Sequence, residues 1–335
     1  MNKIPYHKIE KFADEPLFFI KGVSVIKRKH CHVVDHVSVG GDAPKALVRV
    51  YEYESGRRRR TRKNSWPLYI AKTGHKWYPI ESVTELLLNR LGVDFGLVMA
   101  DSRICMLGGQ LRFLSRYFLD KRHSELVHGA DIFAGYLGDR ELIEEVEECN
   151  MAQDLFTLQF IADAVGYFFP LQRTDLMCEL AKMLLFDALV GNNDRHFYNW
   201  GVVRSLDGSF QPYFAPIYDT ARGLFWNQSE SKLLLRTSTP KGRVEFIRKY
   251  CDQSRPKVGW VDETKLNHFK LVDKIYRNEF YITREEIKLL FLPSVLERMF
   301  HTIDCEFSRL LSKDRLSLIR SCLEYRYHEI VNLLV

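Results

Sequence analysis

The sequence predicts a bilobal α+β fold, in which a small β-rich lobe with one helix precedes a larger helical lobe. The first third of the chain contains short runs rich in Val, Tyr, Phe and Ile, separated by Gly, Pro and charged turns. From about Asp131 onward the apolar residues follow helical spacing instead. Since 335 residues are many for one simple core, we place the two lobes at residues 1–120 and 121–335.

The strands of the small lobe are predicted in four segments, which one helix interrupts. The helix lies in PIESVTELLLNRLG, where Pro79 stands near the start and Gly92 at the end, as is common for helices. The strand segments are HCHVVDHVSV, KALVRVYEYE, WPLYIAKT and SRICMLGGQLRFLSRYFL.

In the larger lobe, the apolar helix TDLMCELAKMLLFDALVG ends near Val190 and is followed by the polar stretch GNNDRHFYN. A short strand, WGVV, and a turn, SLDGS, come next, and a second strand, QPYFAPIYD, ends at Asp219. Two strands joined by a short turn bring Asp219 beside Asn199. Together with Asp194, these residues offer the hard oxygen ligands that suit Mg²⁺ and a bound phosphate.

The small lobe supplies groups of complementary charge. Lys72 lies on the strand LYIAKT, and either Glu81 or Glu85 on the following helix would pair with it, because a buried lysine is costly unless it is paired. Upstream, the turn SVGGDAPK, residues 38–45, would cradle phosphate with its backbone N–H groups.

The order of these parts, a glycine turn, a strand Lys, a helix Glu, Asp-x4-Asn and a strand-end Asp, is that of protein-kinase-like folds. The chain resembles the HipA-type serine/threonine toxin kinases, which are distantly similar to the phosphatidylinositol kinases. GNNDRHFYNW matches the family's catalytic loop, and FAPIYD is similar to the segment of its second metal ligand. SVGGDAPK, PIESVTELLLNRLG and LRFLSRYFLD resemble its phosphate loop, glutamate helix and hinge strand, so the resemblance spans roughly residues 38–223.

The resemblance implies the residue roles of a phosphoryl transfer that depends on ATP and Mg²⁺. Asp194 would be the catalytic base, and Asn199 and Asp219 would be the Mg²⁺ ligands. Lys72 would hold the phosphates of ATP, and Glu81, the glutamate that the family segment favours, would orient it.

The phosphate loop and its serine receive further roles from the resemblance. Ser38, Gly40, Gly41 and Lys45 would contact the phosphates of ATP. In members of the family, phosphorylation of the phosphate-loop serine expels the loop and stops the reaction, so Ser38 is the candidate for autophosphorylation.

The resemblance also implies contacts at the hinge and in the catalytic loop. The backbones of Ser115 and Tyr117 would meet adenine. His196 would brace the catalytic loop rather than act as an acid, and Arg195 would either fix this loop or touch a substrate.

Composition narrows the class of protein. The hydrophobic fraction of 46% and the charged fraction of 27% are typical of soluble globular proteins. We expect no transmembrane helix and no signal peptide, hence a cytoplasmic protein, with a secreted effector as the alternative. The seven cysteines are scattered without a C-x-x-C pair, which favours reduced thiols and argues against structural zinc.

The positive charge of the chain is concentrated in one run. The net charge is +6, and the stretch ESGRRRRTRK holds five Arg and one Lys against one Glu. The run is either a solvated hairpin tip or a contact at Arg57–Arg60 for phosphate or an acidic partner. Because the rest of the chain is nearly balanced, we rank a nucleic-acid binder third among the functions.

The sequence therefore predicts an ATP- and Mg²⁺-dependent Ser/Thr protein kinase of the HipA toxin type, whose substrate is a protein hydroxyl. The alternatives are a nucleotide-binding module without transfer and a kinase for a lipid or small-molecule hydroxyl. The resemblance to the HipA-type toxin kinases also implies an antitoxin as a partner. Only 37 residues precede Ser38, which predicts a compact variant and leaves that partnership open.

Overall fold

The structure, a computed structural model, describes residues 23–34, 45–52, 61–73, 80–120, 122–263 and 265–335. In these ranges most strands precede residue 129 and most helices follow it, which confirms the predicted α+β fold. The residues Ser38, Gly40 and Gly41 of the predicted phosphate loop and the run Arg57–Arg60 lie outside the described residues.

The elements are numbered along the described chain. The strands are β1 (Val25–Ile26), β2 (Cys31–Val33), β3 (Lys45–Val50), β4 (Leu68–Lys72), β5 (Ser102–Leu107), β6 (Gln110–Arg116), β7 (Ser124–His128), β8 (Gly201–Ser205) and β9 (Tyr213–Phe214). The helices are α1 (Glu81–Asp94), α2 (Gly129–Leu137), α3 (Arg140–Glu148), α4 (Ala152–Leu155), α5 (Leu158–Phe168), α6 (Arg173–Val190), α7 (Glu230–Arg236), α8 (Pro240–Gln253), α9 (His268–Asn278), α10 (Arg284–Leu290), α11 (Pro293–Thr302) and α12 (Lys313–Leu333).

A six-stranded sheet in the order β1-β5-β6-β4-β3-β2 forms the small lobe. Strand β1 is parallel to β5, and the other neighbours are antiparallel. The register of β3 and β4 sets Lys45 directly opposite Lys72, so both side chains rise from the same face. Since like charges directly opposite each other are unfavourable, this pair calls for an anionic group between the two lysines.

Helix α1 packs against β5 and β6 and joins the sheet to the main core. Its Leu87, Leu88 and Leu91 are fully buried. We expected the helix to end at Gly92, but it continues to Asp94. A Cβ atom at Gly92 would lie 2.5 Å from the sulfur of Met99, so this glycine permits close packing rather than a helix end.

Helix α6 is the buried centre of the helical lobe. Its residues from Met183 to Val190 are all buried, and it contacts α5, α9 and α12. The helix ends at Gly191, whose φ of 67° lies in the left-handed region that glycine adopts without a steric penalty. The polar loop that follows is thus anchored by a fully buried helix end.

The second sheet, β7-β8-β9, confirms the predicted hairpin only in part. Strand β8 lies where WGVV predicts it, but β9 covers only Tyr213–Phe214. Pro216 has no backbone N–H group to continue the ladder. Instead, Ile217 forms a parallel bridge with Met99 in the segment after α1. This bridge carries the chain towards Asp219, whose φ of 54° is left-handed.

Two sequence-wide expectations concern thiols and membranes. All seven cysteines are free in the structure. In the part of the chain that is described, no helix is long and apolar enough to cross a membrane.

His268, the first residue of α9, gives the fold a pH dependence. Its side chain is 1% exposed, and burial together with Arg326 holds its pKa well below the ordinary value. The unfolded chain takes up this proton near pH 6.5, so protonation favours unfolding. We expect the free energy of unfolding to fall as the pH drops below about 6.5, and His268→Asn to reduce that slope.

Urea unfolding between pH 8 and pH 5 measures this effect. His328→Asn is the control, because the side chain of His328 is exposed. Equal slopes below pH 6.5 for the wild type and His268→Asn would contradict the assignment.

Candidate functional site

A cleft of about 990 Å³ receives residues from the small sheet and from the helical lobe. This volume suits a ligand of nucleotide size. Most of the residues that the sequence singles out line it: Lys45, Lys72, Glu81, Ser115, Tyr117, Asp194, His196, Asn199 and Asp219.

The Asp219 carboxylate lies between the two cross-strand lysines. Lys72 Nζ is 2.9 Å from its Oδ1, and Lys45 Nζ is 3.1 Å from its Oδ2. Burial opposes the charged form of Asp219, but Lys72 and Lys45 outweigh it and hold its pKa well below the usual range. A cation that binds Asp219 competes with both ammonium groups for its carboxylate oxygens, and an ammonium group released in this way can meet a phosphate oxygen.

Lys72 pairs with Glu85, which corrects our expectation that Glu81 orients it. Lys72 Nζ lies 2.5 Å from Glu85 Oε1, and both side chains are buried. Glu81 begins α1, and Glu85 lies one turn further along the same face, over the lysine. Burial raises the pKa of Glu85 to about 7 despite the attraction of Lys72. Burial also lowers the pKa of Lys72, but Asp219 and Glu85 reverse this and raise it.

Glu81 instead faces Arg222, a residue that sequence reasoning missed. Arg222 Nε lies 3.9 Å from Glu81 Oε1, and Arg222 Nη1 lies 3.2 Å from Asp194 Oδ1. Burial raises the pKa of Asp194, and Arg222 opposes that rise without cancelling it. The available signal was a single arginine three positions after Asp219 in the stretch YDTARG.

Arg195 lies under the catalytic loop and is 1% exposed. Its guanidinium binds both carboxylate oxygens of Asp187, at 2.8 and 3.1 Å. Its Nη1 donates to the carbonyl oxygens of Asn199 and Tyr218, at 3.0 and 2.9 Å. Of the two roles left open for Arg195, this geometry fits the fixing of the loop. Asp187 was missed, and its signal was a lone carboxylate in the apolar stretch LLFDALV.

Because one nitrogen of Arg195 holds both carbonyls, Asn199 lies beside the residue that precedes Asp219. Asn199 Nδ2 donates to the carbonyl oxygen of Asp194 at 2.7 Å, which leaves its Oδ1 as an acceptor. One carboxylate, one amide oxygen and space in the cleft fit Mg²⁺, which usually retains several waters. The two ammonium groups on Asp219 show that this position favours positive charge.

His196 has the position of a structural residue in the catalytic loop. Its Nδ1 accepts a hydrogen bond from the backbone N–H of Tyr198 at 3.3 Å. Burial lowers its pKa, so the ring is neutral at pH 7. A neutral imidazole with its acceptor nitrogen engaged fits the predicted bracing role, which stays a prediction.

At the expected hinge, the backbone N–H of Tyr117 is already engaged in the sheet. Its backbone N–H donates to the carbonyl oxygen of Leu68 at 2.8 Å, and Ser115 pairs with Ile70 in the same ladder. The β6–β4 pairing therefore extends to Tyr117, and whether Ser115 and Tyr117 meet adenine stays a prediction. Within the described residues, the backbone N–H of Leu119 has no partner, and Leu119 lines the cleft.

The family model of the HipA-like C-terminal domain matches residues 37–272, which is more than half of the chain. The chain belongs to this family. Curated protein sequences gave no match.

Two solved structures have the same fold as this chain. The proinflammatory kinase CtkA of Helicobacter pylori aligns with a TM-score of 0.71 and 15% identity, over 93% of this chain and 96% of CtkA. HipA of Shewanella oneidensis MR-1, solved with HipB and operator DNA, aligns with a TM-score of 0.50 and 15% identity. That alignment covers 89% of this chain and 66% of the HipA chain. The predicted family and kinase-like fold are thereby confirmed, while the residue roles and the lobe boundary stay predictions.

The pairing of Arg195 with Asp187 allows a stability test. In Asp187→Ala the buried guanidinium loses its carboxylate, and we expect the free energy of unfolding to fall by about 3–5 kcal/mol. Urea unfolding measures this loss. The control is Asp304→Ala, which breaks the surface pair with Arg320 and should cost less than about 1 kcal/mol. Equal losses in the two variants would refute the bracing role.

Proposed function

We propose that this chain is an ATP- and Mg²⁺-dependent protein kinase, which transfers the γ-phosphoryl group of ATP to a Ser or Thr hydroxyl. The observation that carries this proposal is the Asp219 carboxylate between Lys45 and Lys72, in one cleft with Asn199 and Asp194. Such a site neutralises a triphosphate on one side and offers a base on the other, which are the two needs of phosphoryl transfer.

In the proposed mechanism the small sheet holds the nucleotide. Asn199 and Asp219 would hold Mg²⁺, which supplies charge neutralisation to the phosphates when bound. Lys45 and Lys72, released from Asp219, would bind phosphate oxygens as charge-assisted donors. Glu85 keeps Lys72 in place during this exchange, since its carboxylate contacts the same Nζ atom.

Asp194 acts as the base towards the acceptor hydroxyl. Arg222 engages its Oδ1. Within the described residues no hydrogen bond goes to its Oδ2, which leaves this oxygen for the incoming proton. The cleft burial that raises its pKa brings the base closer to the operating pH, which favours proton transfer.

Regulation and partners are part of the proposal. Autophosphorylation at Ser38 would expel the phosphate loop and stop the reaction. The HipA neighbour was solved as a complex with HipB and operator DNA, and an antitoxin for this chain is proposed on that likeness. We also propose a cytoplasmic location, with a secreted effector as the alternative.

Asp194→Asn tests the chemistry. It should lower the transfer rate by about 10²–10⁴-fold, because the amide cannot accept the hydroxyl proton. Nucleotide binding should be retained, since the size of the side chain is unchanged. The measurement uses γ-labelled ATP with the purified full chain and follows label on the chain itself, on added protein, on added lipid and as free phosphate.

Asp163→Asn, in an exposed pair with Arg173, is the matched control and should keep the wild-type rate. Full transfer by Asp194→Asn would refute the base assignment. Nucleotide binding without transfer to any acceptor by the wild type would favour the nucleotide-binding module. Label on lipid alone would favour a lipid kinase.

Asp219→Asn tests the metal site. With ATP at about 100 times its Kd, Mg²⁺ and ATP together should raise the Tm of the wild type by roughly 5 °C. Adding EDTA to the wild type should remove the part of this rise that depends on Mg²⁺. In Asp219→Asn, EDTA should leave the Tm unchanged, because the amide is a much weaker metal ligand. An EDTA-sensitive rise that persists in the variant would exclude Asp219 as the metal ligand.

A further inference from the structure

Helix α1 carries two buried glutamates one turn apart, and each reaches a different acid of the transfer site. Glu85 contacts Lys72, which contacts Asp219. Glu81 faces Arg222, which contacts Asp194. The contact of Glu85 with Lys72 already has a role in the proposed mechanism. The contact of Glu81 with Arg222 has none so far.

The contacts of Arg222 define the geometry of the second connection. Its guanidinium lies between two carboxylates, 3.2 Å from Asp194 Oδ1 and 3.9 Å from Glu81 Oε1. It also stacks over the ring of Trp226, at 5.2 Å from the centroid. The carbonyl oxygen of Arg222 accepts the backbone N–H of Asn193, the neighbour of Asp194, at 3.3 Å. Both its side chain and its backbone therefore hold the catalytic loop.

These restraints matter because Asp194 is not buried on all sides. Its side chain is 22% exposed, and Arg222 is 28% exposed, so both lie at the open side of the cleft. A carboxylate in that position has several rotamers unless a partner selects one. Glu81, whose side chain is 10% exposed, fixes the other side of the guanidinium from the small lobe.

We propose that Arg222 is a positioning residue, which orients the Asp194 carboxylate towards the acceptor hydroxyl and ties it to helix α1 through Glu81. The inference rests on the proposed function, because it concerns the base of that same reaction. If Arg222 acts in this way, the Asp194 carboxylate is correctly oriented only while α1 keeps Glu81 beside Arg222.

Arg222→Ala in the full chain should lower kcat by about 10²-fold, the cost of a misplaced reacting group. The KM for ATP should change little, because the proposed mechanism assigns the phosphates to Lys45 and Lys72 and not to Arg222. Arg222→Lys should recover part of the rate, since lysine restores the charge but not the fork of donors. Added guanidinium ion should rescue Arg222→Ala and leave Arg222→Lys unchanged.

A double-mutant cycle tests the connection to α1. Glu81→Gln alone should lower kcat by up to about fivefold, as expected for a long, partly exposed ion pair. Glu81→Gln with Arg222→Ala should be no slower than Arg222→Ala alone, because the second change acts through the first. The matched control is Arg320→Ala, whose side chain likewise pairs with an aspartate, Asp304, and stacks on a ring, that of Phe300.

The outcomes separate this inference from the proposed function. If the wild type transfers label and Arg222→Ala stays within twofold of it, Arg222 has no positioning role. A rise in KM with unchanged kcat, a lack of guanidinium rescue, or additive effects in the cycle would also overturn the inference. If Arg222→Ala does not fold, Arg222→Lys and Glu81→Gln with their double variant decide the question. A wild type without any transfer refutes the proposed function, and the inference falls with it.

Discussion

The site depends on the Asp219 carboxylate, which separates two lysines that the sheet forces side by side. Lys45 and Lys72 are direct cross-strand neighbours, so the register of β3 and β4 alone brings two positive charges together. Without an anion between them this register would be unfavourable. Asp219 comes from the other lobe, and its ion pairs thus hold the lobes together across the cleft. A metal-bound triphosphate can pair with the same two lysines. The charges that stabilise the protein without ligand are therefore the charges that bind the ligand.

The sequence was sufficient for the fold class and for the two elements on which the site is built, and most of the residues that it singled out line the cleft. Apolar spacing identified α1 and α6, and the motif around Asp194 lies within six residues, so local pattern carries it. Glu81 and Glu85 could not be separated in the same way. They are four positions apart and share one face of α1, and only its packing on the sheet decides which of them reaches Lys72.

The end of the β6–β4 ladder could not be read from the sequence for a related reason. Where a strand ends is set by its partner, and the carbonyl oxygen of Leu68 extends the ladder to Tyr117. Asp187 and Arg222 were missed because each is a single charged residue without a motif around it. Their importance arises from what lies opposite in space, and a lone sequence does not contain that information.

The brace under the catalytic loop has a consequence for how this site can change. Arg195 holds Asn199 and Tyr218 through their carbonyl oxygens, which every amino acid possesses. The frame of the loop is therefore largely indifferent to which side chains it displays. Mutation can alter or abolish the chemistry at position 199 and still leave a folded cleft. A scaffold built in this way lets active and inactive descendants diverge by single substitutions, without first rebuilding the core.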